Sequence, residues 1–139
     1  YQKDVNLRDT VIAMAASTTS GINNTRFINK DYSPTASFKL FHKAIMYADQ
    51  KGIDIKAGNV LSSDQFYEDN PDAYKLWAEY GVLAVEMEAA GLYTIAAKYN
   101  VNALAILSIS DSLVTGEAIS ADERESSLQN MIEIALNIA

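Results

Sequence analysis

The stretch "VLAVEMEAAGLYTIAAKYN", residues 82–100, decides the fold. Its first part, "VLAVEM" (82–87), is a short apolar run of the kind that forms a buried strand. Its second part, "EAAGLYTIAAKYN" (88–100), spaces its apolar residues for a helix and ends near Asn100, a residue that tolerates the left-handed conformation closing many helices. Two carboxylates, Glu86 and Glu88, flank Met87 where strand turns into helix. Carboxylates seldom sit beside a buried strand without a partner or a task.

The same alternation continues in both directions. Downstream, "ALAILSISD" (103–111) is the most apolar strand, and such a run is expected at the centre of a sheet. "SADERESSLQNMIEIALNIA" (120–139) opens with a capping box, Ser120 with Glu123, and continues as an amphipathic helix whose stripe Leu128, Met131, Ile132, Ile134 and Ala135 is expected to be core. Upstream, "DNPDAYKLWAEYG" (69–81) is a short helix, and "IDIKAGNVLSS" (53–63) is a strand leading into the loop "SSDQFY" (62–67). "SPTASFKLFHKAIMYADQKG" (33–52) is a helix with Ser33 as N-cap, Pro34 at its first position, Gly52 past its end, and Phe38, Phe41, Ile45 and Ala48 at helical spacing. Residues 17–33, rich in Ser, Thr, Asn and Gly, form a long loop, and "TVIAMAAS" (10–17) a buried strand. The pattern predicts an α/β fold, a mostly parallel or mixed central sheet flanked by helices, in a single domain over residues 1–139. No repeat, low-complexity segment or domain boundary interrupts it.

Ligands of such sheets collect at the carboxyl ends of strands. Two polar clusters fall there: Glu86-Met87-Glu88, and Ser108, Ser110 and Asp111. The loop 62–67 is placed to close over the same region.

Composition narrows the chemistry. The 139 residues are 49% hydrophobic and 9% aromatic with a formal charge of −7, ordinary for a globular domain and unsuited to a nucleic-acid backbone or an anionic membrane. No cysteine is present, so disulfide and thiolate chemistry are excluded. No apolar run reaches membrane-spanning length, nothing resembles a signal peptide, and the cytoplasm is the expected location. The one histidine, His42, cannot make a His-based metal site, no metal-ligand spacing appears, and no metal is expected. The six glycines (21, 52, 58, 81, 91, 116) form no phosphate-cradling motif of either common type. The chain begins at Tyr1, almost directly before a strand, which suggests a piece of a longer chain.

The candidate residues each have a plain alternative. Glu86 and Glu88 could accept from the two hydroxyls of a sugar diol, with Met87 as an adaptable apolar wall; acidic residues also simply favour a helix start. Asp111 at the end of an apolar strand suits a general acid whose pKa is raised by partial burial, with Arg124 as charge partner; it also suits an Asx turn or a cap. Phe66 and Tyr67 suit stacking on a flat ligand or a lid over the core.

These residues, taken together, resemble a known family. "VEMEAAGLY", a strand ending "SISDS", and "TGEAISADERESSLQNMIEIAL", preceded in order by "VNLRDTVIAMAAS" and "GNVLSSDQFY", resemble the bacterial hexameric type of purine nucleoside phosphorylase over essentially the whole chain. The resemblance implies a nucleoside phosphorylase-like fold, incomplete at its N-terminus. It implies phosphate-dependent cleavage of the N-glycosidic bond of purine (deoxy)ribonucleosides, giving free base and (deoxy)ribose 1-phosphate, in purine salvage. It implies phosphate as co-substrate with no further cofactor, a hexamer, and no nucleic-acid or membrane partner. Glu88 would bind the ribose hydroxyls and Met87 the ribose; Glu86 and Val85 would line the site beside sugar and base. Phe66 would pack on the purine, Ser110 would sit near the base, Asp111 would protonate the base at N7, and Arg124 would help it do so. Where the family commonly has histidine after that aspartate, this chain has Ser112, which bears on how Asp111 is hydrogen-bonded. The family's phosphate-binding portion lies upstream of the matched region, so this chain alone is expected to be inactive. A purine-type nucleosidase, which hydrolyses, and a non-catalytic nucleoside-binding fragment are the competing readings.

Overall fold

The computed structural model describes the backbone of residues 1–139 and every side chain except those of residues 125–127. The chain runs β1 (Thr10–Thr18), α1 (Ile22–Arg26), α2 (Phe38–Lys51), β2 (Ile55–Ser62), α3 (Ala73–Glu79), β3 (Val85–Glu86), α4 (Ala89–Tyr99), β4 (Ala105–Ser108), α5 (Ala121–Ser127) and α6 (Gln129–Ile138). The strands form one mixed sheet in the order β3-β2-β1-β4. β1 pairs β2, and β2 pairs β3, in parallel; β4 runs antiparallel to β1.

The inner strands are therefore β2 and β1, and the expectation that residues 103–111 hold the centre is corrected. Among the described residues β4 pairs with β1 alone, through Thr10–Ser108 to Ala13–Ala105. Its apolarity has another cause. Leu107 packs against a cluster containing Val11, Val60 and Tyr93, while Ile106 packs against a second cluster of Ile12, Ala44, Ala48, Ile134 and Ile138. An edge strand covered on both faces needs the same composition as a central one. The two clusters lie on opposite faces of β1, where side chains alternate. α4 covers one face and α2 with α6 the other, giving three layers.

The register of β1 against β2 shifts between Ala13 and Ala15, leaving Met14 unpaired in a bulge. Tyr93 of α4 reaches this point. Its buried hydroxyl donates to the Ala13 carbonyl at 2.6 Å and accepts from the Ala105 N–H at 2.9 Å, joining α4, β1 and β4. Burial pushes this phenol upward, against the opposing pull of the Ala105 N–H.

Local signals hold at several helix ends. Gly52 closes α2 and Asn100 closes α4, both left-handed, and Ser120 with Glu123 forms the capping box of α5. Others are displaced. α2 begins after Ser37, not Ser33, because the backbone of 34–36 is already paired with β1: Ala16 N–H donates to Pro34 O and Ala36 N–H to Met14 O, both at 3.0 Å. Phe38 is exposed, and the buried residues of α2 are Ala44 and Ala48. α3 starts at Ala73, past Pro71. The loop 17–33 contains the short α1. The C-terminal helix is two helices meeting at Leu128. Only Ile134 of its expected core stripe is fully buried; Ile132 is exposed, as is Ala135.

Candidate active site

β2 and β3 end side by side, with Ser62 in register with Glu86. From there the chain turns into α4, whose first N–H groups have no partner inside the helix. Glu86 supplies one. Its Oε2 accepts from the N–H of Glu88 and of Ala89, each at 2.7 Å. Its Oε1 accepts from the Ser62 hydroxyl, whose oxygen in turn accepts from the Ala90 N–H at 2.8 Å. Of the two readings for a carboxylate here, capping describes Glu86. Glu88, the N-cap residue, is exposed, as are Met87 and Val85.

β4 delivers the second group of residues. Because β4 is antiparallel, its end lies beside the start of β1, while Glu86 lies beside the end of β1 through Ser62 and Thr18. The two polar clusters are thus at opposite ends of the sheet and not at one shared edge. Past β4, Asp111 forms a bridge with Ala118, and the Ile119 N–H donates to Ser110 O at 2.9 Å, folding the 112–117 loop back on itself. This return brings α5 near. The Arg124 guanidinium approaches Asp111 Oδ1 at 3.5 Å, and the Ser110 hydroxyl donates to Oδ2. The burial anticipated for Asp111 is limited, since its side chain is 51% exposed. The Ser112 hydroxyl accepts from the Thr115 N–H at 3.2 Å. Behind them Arg8 pairs with Glu123, tying the segment before β1 to the start of α5. Hydrogen bonds from the backbone and hydroxyl of Ser120, then Arg8, hold the Glu123 carboxyl below its ordinary range.

One cleft of about 630 Å³ joins the two groups. β3 and β4, opposite edges of the sheet, both line it, so the sheet curls around it. Phe66, Val85, Glu86, Met87, Ser110 and Asp111 face the cleft. Glu88 and Arg124 do not line it; Glu88 follows the lining residue Met87, and Arg124 stands behind Asp111. Phe66 is 76% exposed and meets Tyr67 edge-on at 5.0 Å, leaving a ring face for a flat ligand. Leu128 and Met131 add an apolar wall. The helical stripe predicts a core position for these two, and nothing in the sequence singles out Ser62, whose partner is set by strand register. Among the described residues no group of three or more His, Cys, Asp and Glu side chains could hold a metal. His42 is exposed and stacks on Phe38 at 5.7 Å. No helix among the described residues is long and apolar enough to cross a membrane.

Comparison with known proteins agrees with this architecture. A family model described as "Phosphorylase superfamily" matches residues 1–139. A purine nucleoside phosphorylase of the DeoD type from Thermoanaerobacter sp. (strain X514) is 62% identical over 138 residues, covering 99% of this chain and 59% of its own length. Its namesake from Clostridium novyi (strain NT) is 57% identical over 137 residues, again covering 99% and 59%. This chain therefore spans about three-fifths of the length of these relatives. A crystal structure of purine nucleoside phosphorylase from Toxoplasma gondii in complex with immucillin-H superposes with a TM-score of 0.81. That match covers 98% of this chain and 56% of the other at 18% identity, a likeness of fold. With a family match over its whole length, the chain belongs to the phosphorylase superfamily.

Proposed function

We propose that the protein carrying this chain is a purine nucleoside phosphorylase, cleaving purine (deoxy)ribonucleosides with phosphate to free base and (deoxy)ribose 1-phosphate. The observation that carries the reading is the cleft itself, which puts an exposed aromatic face, Phe66, the strand-to-helix switch at Met87 and the carboxylate Asp111 around one space. The relatives that cover 99% of this chain are named for this activity.

Cleavage breaks the bond between the sugar's anomeric carbon and N9 of the purine. The bonding pair passes to the base, and positive charge develops on the sugar. Asp111 gives its proton to N7, so the base leaves neutral. Arg124, within 3.5 Å, stabilises the carboxylate that remains. Glu88 and Met87 hold the ribose, and the Glu88 carboxylate opposes the developing positive charge. Val85 and Glu86 line the sugar and base side, and Ser110 lies near the base. A phosphate oxygen then bonds to the anomeric carbon from the opposite face, a step governed by position. No cofactor beyond the co-substrate phosphate is required. The phosphate clamp belongs to the part of the protein outside this chain, the working assembly is a homo-hexamer, and its location is the cytoplasm.

The test is cleavage of inosine and adenosine by the full-length protein, with and without phosphate. Activity only with phosphate is expected; cleavage without it makes the protein a nucleosidase and overturns the proposal. Glu88→Ala should raise KM for nucleoside and lower kcat, and unchanged kinetics would remove Glu88 from the sugar site.

A further inference from the structure

We propose that Ser62 and Glu86 are positioning residues: together they fix the backbone at the start of α4 and so aim Met87 and Glu88 at the sugar. The inference deepens the reading above and rests on it for the identity of the sugar.

Glu86 has the wrong partners for a direct ligand. One carboxylate oxygen is occupied by two backbone N–H groups, those of Glu88 and Ala89, and the other by the Ser62 hydroxyl. Ser62 is 4% exposed and spends its own acceptor on the Ala90 N–H. Three successive N–H groups, 88 to 90, are thereby satisfied by two side chains from neighbouring strand ends. The main chain completes the joint: Ser63 N–H donates to Glu86 O at 2.8 Å, and Thr19 N–H to Ser62 O at 3.1 Å. Charge-assisted bonds from N–H to carboxylate are strong, and the positive end of a helix favours the anion. Residues 87 and 88 are held inside this loop of bonds, with the Glu88 backbone at φ −128°, ψ −28°. Their side chains start from a backbone that cannot drift without breaking them. Misplacement of a binding group by about 1 Å can cost on the order of 100-fold in rate.

The experiment uses the full-length protein with Ser62→Ala, Glu86→Ala and Glu86→Gln, each alone and combined with Glu88→Ala. Amide hydrogen exchange at residues 88–90 and the kinetics of inosine phosphorolysis are read together. Both alanine variants should exchange at least ~10-fold faster at residues 88–90, with β1 amides unchanged, and lose about 10- to 100-fold in kcat/KM. Glu86→Gln keeps an acceptor for the Glu88 and Ala89 N–H groups and should recover most of both. In the Glu88→Ala background the further kinetic loss should nearly vanish, because residues acting through one another are not additive. Unchanged exchange at 88–90 overturns the proposal. So does a loss that adds in full to that of Glu88→Ala, or a Glu86→Gln variant with slow exchange and alanine-like kinetics, which would make Glu86 a direct charge on the substrate. If the wild type shows no phosphorolysis, the functional reading fails separately, and exchange alone still decides whether the two side chains hold this backbone.

Discussion

The two ends of the cleft are built differently. At the start of α4, one carboxylate oxygen of Glu86 accepts from two backbone N–H groups and the other from the buried Ser62 hydroxyl, whose oxygen accepts from a third N–H. At the far end, Asp111 is held by side chains, the Ser110 hydroxyl and the Arg124 guanidinium, with both members of the ion pair about half exposed. Backbone partners have little freedom to lose, so the first end is fixed by the fold. Exposed ionic partners must order long side chains against solvent and salt, so the second end is set by weaker forces. On the proposed function, a clamp for the sugar gains from the first kind of construction. On the proposed mechanism, the group that gives up and regains a proton gains from the second, because water can reach it.

The sharpest way to break this contrast is to make one substitution in both places. Ser62→Ala removes a hydroxyl that is 4% exposed and leaves the Ala90 N–H and a Glu86 oxygen short of a partner. A buried polar group left unmade costs about 1–3 kcal/mol. Ser110→Ala removes a hydroxyl from a half-exposed site whose backbone bond to Ile119 survives, and should change stability by less than about 0.5 kcal/mol. Urea denaturation of both variants measures the difference. Equal losses would mean that the two ends do not differ in rigidity.

The same division separates what the sequence disclosed from what it did not. Signals confined to one turn of chain were legible: Gly52 and Asn100 as left-handed helix ends, and the Ser120–Glu123 box. So was the alternation that makes the fold α/β. Features decided by pairing across long separations were not. The direction and edge position of β4, the displacement of the α2 start from Ser33 to Ser37 by pairing with β1, and the partnership of Ser62 with Glu86 all depend on register. The composition of β4 could not reveal its position, since Ile106 and Leu107 each meet a covered face. The residues around the cleft were found as types, and Asp111 with Arg124 was found as a pair. That Glu88 and Arg124 stand outside the lining follows from three-dimensional direction, which no spacing encodes.

A smaller effect comes from the α5 cap, which belongs to the exposed end. Ser120 accepts from the Glu123 N–H at 3.3 Å, and Glu123 accepts from the Ser120 N–H at 3.0 Å. Ser120→Ala should cost about 1 kcal/mol. The pH dependence has a definite sign. The folded Glu123 carboxyl lies below its ordinary value because Ser120, and then Arg8, favour its charged form. In the window just below about pH 4.3 the unfolded chain therefore binds more protons at this position than the folded one. Its contribution is present above the unfolded pKa and is lost as pH falls through the folded one. Denaturation of wild type and Glu123→Gln should converge as pH drops from about 5 to 3, and a constant gap would remove the cap from the acid response.

Arg124 provides the smallest expected stability effect and the clearest separation of stability from activity. Its approach to Asp111 is long and open to solvent, and exposed ion pairs contribute about 0–1 kcal/mol. Arg124→Gln should therefore lower stability by no more than a few tenths of a kcal/mol. On the proposed mechanism the same change removes the charge that stabilises Asp111 after proton release, so phosphorolysis should fall by about 10-fold or more. Added salt should weaken the wild-type pair, which lies within reach of screening at about 0.15 M, and should leave the Glu86 joint unaffected. If Arg124→Gln instead destabilised the protein as strongly as Ser62→Ala, the exposed end would be a structural joint like the other, and the contrast between a fixed sugar clamp and an accessible acid would collapse.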